Sequence, residues 1–138
     1  MTILIDTGPL YAFFDQNDQY NYWTGRQFAK ITQPLLTCEA VIAETVFLML
    51  GSGISPEYLF TFIQRGHLKI SHVLANSDQI LKIGNIIIKY NDLPASFADA
   101  CLVEMYEKKS PAKIFTLDKH FSIYRTSKSK PLSLISPH

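Results

Sequence analysis

The run TILI at residues 2–5 constrains the fold more than any other stretch, because it is short, apolar and cut off by an acid. Its β-branched and aliphatic side chains predict a strand of a parallel sheet that is buried on both faces. Asp6 follows the run directly, and the residues TGP at 7–9 are expected to break the strand. In open α/β sheets, ligands bind outside the carboxyl ends of the strands, so Asp6 is a candidate site residue.

Strand and helix patterns alternate along the chain, with no repeats and no low-complexity linker. Further strands are predicted at residues 35–37, 68–73, 113–117 and, at one edge, 131–135. Helices are predicted at residues 10–14, 19–31, 39–50, 55–65, 76–90 and 96–108. This alternation predicts an α/β fold with a mainly parallel sheet that is covered by helices on both faces.

The composition is that of one folded domain. The chain has 138 residues, of which 47% are hydrophobic, and this excludes an intrinsically disordered tail. No apolar run reaches the roughly 18–20 residues that a membrane-spanning helix needs, and the N-terminus lacks a signal-peptide pattern. Cys38 and Cys101 lie in apolar segments and are expected to be reduced and buried, which fits a cytoplasmic protein.

The charged residues are unevenly distributed, although the net charge is only +1. Residues 1–64 carry six acids and two bases, whereas residues 65–138 carry eleven bases and six acids. No acid follows Asp118, and the segment after it contains Lys119, His120, Arg125, Lys128 and Lys130. Such a segment is either a solvated face or the rim of a phosphate-binding site, and the sequence leaves both readings open.

Four of the twelve acids are placed unlike the others. Eight lie in polar or turn-like surroundings and are expected to be surface groups, helix caps or turn residues: Asp15, Asp18, Glu39, Glu57, Asp78, Asp92, Glu104 and Glu107. The other four stand in apolar segments. Asp6 and Asp118 follow predicted strands, while Glu44 and Asp99 are the only charges in segments 40–48 and 97–103.

Isolated acids in apolar segments need partners, because burying an ionised carboxylate costs several kcal/mol unless it is paired. No lysine or arginine lies three or four residues from Glu44 or Asp99. Each acid taken alone could still be an exposed helix position or a strand-end cap. Four converging carboxylates would suit one or two divalent cations, and oxygen ligands favour Mg²⁺ or Mn²⁺ over zinc. A carboxylate-held metal beside a basic rim indicates phosphoryl chemistry.

Four motifs, in order along the chain, resemble those of the PIN-domain ribonucleases, particularly the VapC-type toxins of toxin–antitoxin pairs. The first is DTGPL at residues 6–10, and the second has Glu44 after TCEAVIA at residues 37–43. The third is DLP at residues 92–94 with FADA at 97–100. The fourth is TLDKHF at residues 116–121, followed by Arg125. The resemblance covers nearly the whole chain.

The resemblance implies a three-layer, PIN-like α/β/α sandwich that forms a single nuclease domain over residues 1–138, and it implies a metal-dependent endoribonuclease. It also implies that the catalytic, metal-binding residues are Asp6, Glu44, Asp99 and Asp118, with one or two Mg²⁺ or Mn²⁺ ions. RNA is then the substrate, and a homodimer and a small cognate antitoxin protein are expected. His120 stands where many relatives have another acid, which bears on whether a second ion binds without substrate.

Further residues are candidates for supporting roles. Thr116 is either a residue that hydrogen-bonds a water or a carboxylate of the site, or an ordinary strand threonine. Thr7 has the same possible role in the site, and its alternative is to form the turn. RNA phosphate contacts are predicted for Lys119, His120 and Arg125. Three aromatic residues either stack on bases or, as we favour, pack in the core: Tyr106, Phe121 and Tyr124.

Two other classes of function remain open. A degenerate PIN domain would bind RNA or a protein partner without cleaving. Alternatively, the same ligand set would serve a metal-dependent phosphatase or a DNA nuclease.

Overall fold

The computed structural model describes residues 1–138 and contains one five-stranded sheet and six α-helices. The strands are β1 (Thr2–Ile5), β2 (Leu35–Thr37), β3 (Leu68–Ile70), β4 (Ala112–Phe115) and β5 (Leu134–Ile135). The helices are α1 (Thr7–Phe14), α2 (Asn21–Lys30), α3 (Glu39–Gly51), α4 (Glu57–Gln64), α5 (Ser77–Lys89) and α6 (Phe97–Lys108). A 3₁₀ helix covers Lys119–Ser122. The α/β/α sandwich predicted from the sequence is confirmed.

All strand pairs of the sheet are parallel, and the strand order is β3-β2-β1-β4-β5. The chain therefore starts in the middle of the sheet, moves outward to β3 and then returns to the other side of β1. The crossovers that contain α1–α4 thus run one way along the sheet, and the crossover that contains α5 and α6 runs the other way. The reversal lies between β1 and β4, which is where open α/β sheets form a ligand-binding crevice.

The register of the two central strands determines which residues meet at that crevice. Thr2 of β1 pairs with Ala112 of β4, and the pairing continues without a bulge to Ile5 and Phe115. The backbone N–H of Asp6 then donates to the carbonyl oxygen of Phe115 over 2.9 Å. The residues that follow the two strands are consequently held side by side.

The core lies on both faces of the central strands. Leu4, Ile5, Ile114 and Phe115 are fully buried, as their apolar sequence predicts. Further fully buried side chains come from five helices and the 3₁₀ segment: Leu10, Met49, Leu59, Ile83, Leu102, Met105 and Phe121. Cys38 and Cys101 are free and buried. None of the helices is both long and apolar enough to cross a membrane.

Helix α1 begins three residues earlier than the sequence pattern predicts. It starts at Thr7, directly after β1, with Asp6 as its N-cap. Pro9 is compatible with this position because the N–H groups of the first helical turn have no partner inside the helix. The TGP segment therefore ends the strand by starting a helix.

Three strands are shorter than predicted: β3, β4 and β5. β3 ends at Ile70 because its neighbour β2 ends at Thr37, whose carbonyl accepts a last hydrogen bond from Ser71. β4 ends at Phe115, and Asp118 instead caps the 3₁₀ helix. β5 comprises only Leu134–Ile135. Pro131 has no N–H to donate and forms only an antiparallel bridge with Arg125.

Glu104 is buried, so its interpretation as a surface acid is wrong. It lies on α6, and its side chain is 7% exposed. Its Oε1 is 3.0 Å from Nζ of Lys82 on α5 and 3.7 Å from Nζ of Lys108 one helical turn further on. The partner from α5 was not visible in the sequence, because Lys82 lies 22 positions away and meets Glu104 only through helix packing.

Candidate functional site

The four isolated acids line one pocket at the carboxyl end of the sheet. The pocket has a volume of about 410 Å³ and lies at the point where the strand order reverses between β1 and β4. Asp6 and Asp118 reach it from the ends of these strands, Glu44 from the middle of α3, and Asp99 from the first turn of α6. The remaining lining residues are Thr7, Gly8, Pro94, Ser96 and Leu117.

Asp6 is the most buried of the four acids, with 5% of its surface exposed. Its Oδ1 accepts a hydrogen bond from the backbone N–H of Thr7 over 2.8 Å, and its Oδ2 accepts one from the Thr116 hydroxyl over 2.8 Å. Burial raises the pKa of Asp6 to about 7, with the negative charge of Asp99 as the next contribution. The two hydrogen bonds oppose this shift because they stabilise the ionised form.

Asp99 is held at the start of α6 by a capping box. Its backbone N–H donates to the Ser96 hydroxyl over 3.0 Å, and its Oδ2 accepts the backbone N–H of Ser96 over 3.1 Å. The hydroxyl of Tyr124 donates to the same Oδ2 over 3.2 Å. Burial raises the pKa of Asp99, and the charge of Asp118 adds to the shift.

Glu44 and Asp118 are half-buried and are also fixed by hydrogen bonds. The hydroxyl of Thr7 donates to Oε2 of Glu44 over 2.9 Å. Oδ1 of Asp118 accepts the backbone N–H of His120 over 2.9 Å, and the backbone N–H of Asp118 donates to the Thr116 hydroxyl over 3.0 Å. Thr7 and Thr116 therefore contact three of the four acids between them.

The negative charge of the pocket has no lysine or arginine partner within the chain. None of the four acids forms an ion pair with a lysine or an arginine. The imidazole of His120 is close to the site, and its Nδ1 is 3.4 Å from Oδ1 of Asp118. The carboxylates of the pocket raise one another's pKa: the charge of Asp99 acts on Asp6, and the charge of Asp118 acts on Asp99.

The chemistry of these donors fits a hard divalent cation. All four are carboxylates, and oxygen ligands are those that Mg²⁺ and Mn²⁺ prefer. No three His, Cys, Asp or Glu side chains stand close enough to form a ready-made metal-binding group. The pocket therefore offers oxygen ligands and an uncompensated negative charge, and not a closed cage of protein ligands. Mg²⁺ usually keeps several waters and takes few carboxylates, so an open site of this kind suits it.

The three residues predicted to contact RNA phosphates lie in different places. Lys119 is exposed, and His120 lies against Asp118 at the mouth of the pocket. Arg125 lies away from the pocket, in a groove between α5 and α6. Its Nη1 donates to the carbonyl oxygens of Ser122, Ile123 and Tyr124 over 2.7 to 3.0 Å. This guanidinium thus ties down the segment after the 3₁₀ helix.

Tyr124 and Gly8 are among the residues of the pocket region that were not predicted as site residues. Tyr124 was expected in the core, where its ring does lie, but its hydroxyl reaches Asp99. Gly8 lines the pocket, and a Cβ there would lie 3.3 Å from Cβ of Leu117. A glycine therefore lets α1 start close to the segment that carries Asp118. The sequence holds no local signal for either contact, because the partners are 25 and 109 positions away.

Comparisons with known proteins find a similar fold. No protein-family profile and no curated protein sequence matches the chain. The crystal structure of VapC20 from Mycobacterium tuberculosis, described as a sarcin–ricin loop cleaving toxin, superposes with a TM-score of 0.78. The match covers 94% of this chain and 100% of that chain, at 20% sequence identity. At this identity, the likeness establishes the PIN-like fold that the motifs implied.

Proposed function

We propose that this chain is a metal-dependent endoribonuclease that hydrolyses RNA phosphodiester bonds and acts as the toxin of a toxin–antitoxin pair. The observation that carries the proposal is the pocket at the β1–β4 reversal, which four carboxylates line without a lysine or arginine partner. The likeness of the fold to an RNA-cleaving toxin supports the same assignment. Two cysteines that are free and buried fit a cytoplasmic location.

In this proposal, one or two Mg²⁺ or Mn²⁺ ions are held by Asp6, Glu44, Asp99 and Asp118. When bound, such an ion supplies Lewis-acid chemistry, which lowers the pKa of water and offsets the negative charge that develops on the phosphate. Asp6 and Asp118 would provide oxygen ligands from the strand ends, and Glu44 and Asp99 would either ligate the ion or orient the attacking water. Thr7 and Thr116 keep the carboxylates in place through the hydrogen bonds of their hydroxyls.

We assign the binding of the substrate's phosphate groups to the basic residues beside the pocket. Lys119 is exposed and directly follows Asp118, and His120 is already at the pocket mouth. A cationic side chain here would counter the repulsion between an RNA phosphate and the acids. Arg125 would act only indirectly, by fixing the backbone of residues 122–124.

The proposal is tested by cleavage of an end-labelled, single-stranded RNA in Mg²⁺ or Mn²⁺. We expect the wild type to cut the RNA, and we expect Asp6→Asn and Asp99→Asn to reduce the rate by at least about 100-fold while remaining folded. Asp78→Asn is the matched control, because Asp78 is exposed on α5 and makes no side-chain hydrogen bond. Sequencing the 5′ ends of cleaved cellular RNA would then identify the target.

The remaining outcomes of that assay identify the alternatives. Cleavage of single-stranded DNA but not RNA, or of a small phosphoester, would replace the proposal with a DNA nuclease or a phosphatase. A folded wild-type protein that binds RNA without cutting it in either metal would be a degenerate, non-cleaving PIN domain. Wild-type rates in Asp6→Asn or Asp99→Asn would show that the catalytic residues are wrongly assigned.

We further propose that the chain forms a homodimer through α3. Ala43, Phe47 and Leu50 are exposed at helical spacing along one side of this helix, with Phe47 76% and Leu50 63% exposed. Exposed apolar stripes of this kind mark protein–protein contacts. Sedimentation velocity should give a dimer for the wild type and a monomer for Leu50→Glu. Tyr22→Glu on α2 is the control, because Tyr22 is 75% exposed and lies on another helix.

The cognate antitoxin is the other expected partner. Induced expression of the wild type in a bacterial host should arrest growth, whereas Asp6→Asn should not. Co-expression of a small protein encoded beside this chain should relieve the arrest and co-purify with the chain. Normal growth with the active nuclease at high level would contradict the toxin assignment and leave the endoribonuclease assignment intact.

A further inference from the structure

We propose that Tyr124 is a positioning residue of the acidic pocket, which fixes the carboxylate of Asp99 so that one of its oxygens is presented to a bound divalent cation. The inference rests on the proposed function of the pocket as a metal site. It assigns a role in the site to a residue whose ring belongs to the hydrophobic core. The contact involved is the hydrogen bond of 3.2 Å from the Tyr124 hydroxyl to Oδ2 of Asp99.

The two oxygens of Asp99 have different surroundings. Oδ2 accepts hydrogen bonds from both Tyr124 and the backbone N–H of Ser96. Oδ1 accepts none from the protein. A carboxylate with one oxygen held by two donors cannot rotate freely about its last bond, so its other oxygen keeps one direction. Hydrogen bonds that orient metal ligands in this way are a general feature of metal sites.

The position of Tyr124 is itself well defined. The side chain is 1% exposed, and its ring makes edge contacts with Tyr90 and Phe121 at centroid distances of 5.0 and 5.1 Å. The Tyr90 hydroxyl accepts the backbone N–H of Arg125 over 2.9 Å and contacts none of the four acids. Burial and the nearby charge of Asp99 raise the pKa of Tyr124, so its hydroxyl stays a hydrogen-bond donor at neutral pH.

Tyr124 completes a pattern that the threonines of the pocket begin. Thr116 donates its hydroxyl proton to Asp6, and Thr7 donates to Glu44. Tyr124 does the same for Asp99 from a segment that lies beyond the last acid. Three of the four carboxylates thus accept a hydrogen bond from a side-chain hydroxyl on another part of the chain.

The test removes the hydroxyl and keeps the ring. For Tyr124→Phe, isothermal titration with Mn²⁺ should show an affinity about tenfold weaker than that of the wild type, a size typical of lost support to a metal ligand. The value of kcat for RNA cleavage should fall while KM stays unchanged, because the phosphate contacts are intact. Tyr90→Phe is the matched control: it removes a hydroxyl from the same aromatic cluster, one that touches none of the four acids, so it should leave both values unchanged.

Specific outcomes would overturn the inference. Wild-type Mn²⁺ affinity in Tyr124→Phe contradicts it, and so does an equal loss in Tyr124→Phe and Tyr90→Phe, which would indicate a packing effect. In the Asp99→Asn background, Tyr124→Phe should weaken Mn²⁺ binding no further. An additive loss of affinity in the double variant would contradict the inference. This comparison also holds if Tyr124→Phe alone is unstable. If the wild type binds Mn²⁺ but does not cleave RNA, the proposed endoribonuclease function is wrong. The Mn²⁺ affinity of Tyr124→Phe then still tests the role of Tyr124.

Discussion

The hydroxyl of Thr116 donates a hydrogen bond of 2.8 Å to Oδ2 of Asp6, although the two residues are 110 positions apart. The same hydroxyl accepts the backbone N–H of Asp118 over 3.0 Å. A single side chain with no exposed surface therefore connects the ends of β1 and β4 and the acids that follow them. The geometry depends on the unbroken register of these two strands.

Thr116→Val should impair the site while preserving the shape of the side chain. The substitution leaves Oδ2 of Asp6 without its donor in a buried position, which costs about 1–3 kcal/mol of unfolding free energy. We expect RNA cleavage to fall about tenfold, because a misplaced carboxylate binds metal less well. Cleavage kinetics and urea unfolding measure the two effects.

Thr24→Val is the control for that substitution. Thr24 is fully buried on α2, and its hydroxyl has no hydrogen-bond partner. Its replacement removes an unsatisfied polar group, so stability should stay the same or rise by up to about 1 kcal/mol, with unchanged activity. Equal activity in the Thr116 and Thr24 variants would contradict a role for Thr116 in the site.

Asp6 should make the metal-free protein less stable as the pH rises. Its pKa is raised from 3.8 to about 7 in the folded chain, so the folded state binds more protons than the unfolded state between these values. The contribution of Asp6 to the free energy of unfolding is therefore largest below pH 4, and it is lost as the pH rises towards 7. Asp6→Asn cannot ionise, and asparagine keeps the N-cap of α1.

In EDTA, we therefore expect Asp6→Asn to be more stable than the wild type at pH 8, by about 2–4 kcal/mol. The difference should shrink towards zero near pH 4. Urea unfolding at a series of pH values measures it, with Asp78→Asn as the exposed control. A constant difference across this range would mean that Asp6 is not perturbed by burial and its neighbours.

Glu104 should matter for stability and not for cleavage. Its buried carboxylate pairs with Lys82 and Lys108, whose side chains are 61% and 46% exposed. In Glu104→Gln these lysines remain hydrated, so the loss should be limited to about 1 kcal/mol. Thermal unfolding would measure the loss, and kcat should equal that of the wild type. A large loss of kcat would mean that the α5–α6 contact influences the pocket.

Much of the fold could be predicted because the sequence signals were local. The apolar run before Asp6 predicts β1, and the helix predicted at residues 96–108 is α6, which begins at Phe97. The start of α1 was placed too late because TGP favours both a turn and a first helical turn. The lengths of β3 and β5 depend on where neighbouring strands end, which no local pattern contains.

The pocket acids could be found for a related reason. An acid such as Glu44 or Asp99 in an apolar segment is costly unless the fold supplies a partner, so its position alone marks it. Glu104 lacked this signal, because Glu107, Lys108 and Lys109 nearby make the end of α6 read as polar. The contact from Tyr124 was also hidden, since an aromatic residue in a core segment gives no indication of where its hydroxyl lies.

Calorimetric titration of Mn²⁺ into the metal-free protein at pH 7.5 tests the central claim most directly. The wild type should bind, and the affinity should fall at least about tenfold in each of Asp6→Asn, Glu44→Gln, Asp99→Asn and Asp118→Asn, with Asp78→Asn unchanged. Bound metal should also raise the melting temperature of the wild type. Absence of Mn²⁺ binding, or wild-type affinity in all four variants, would contradict a cation site in this pocket.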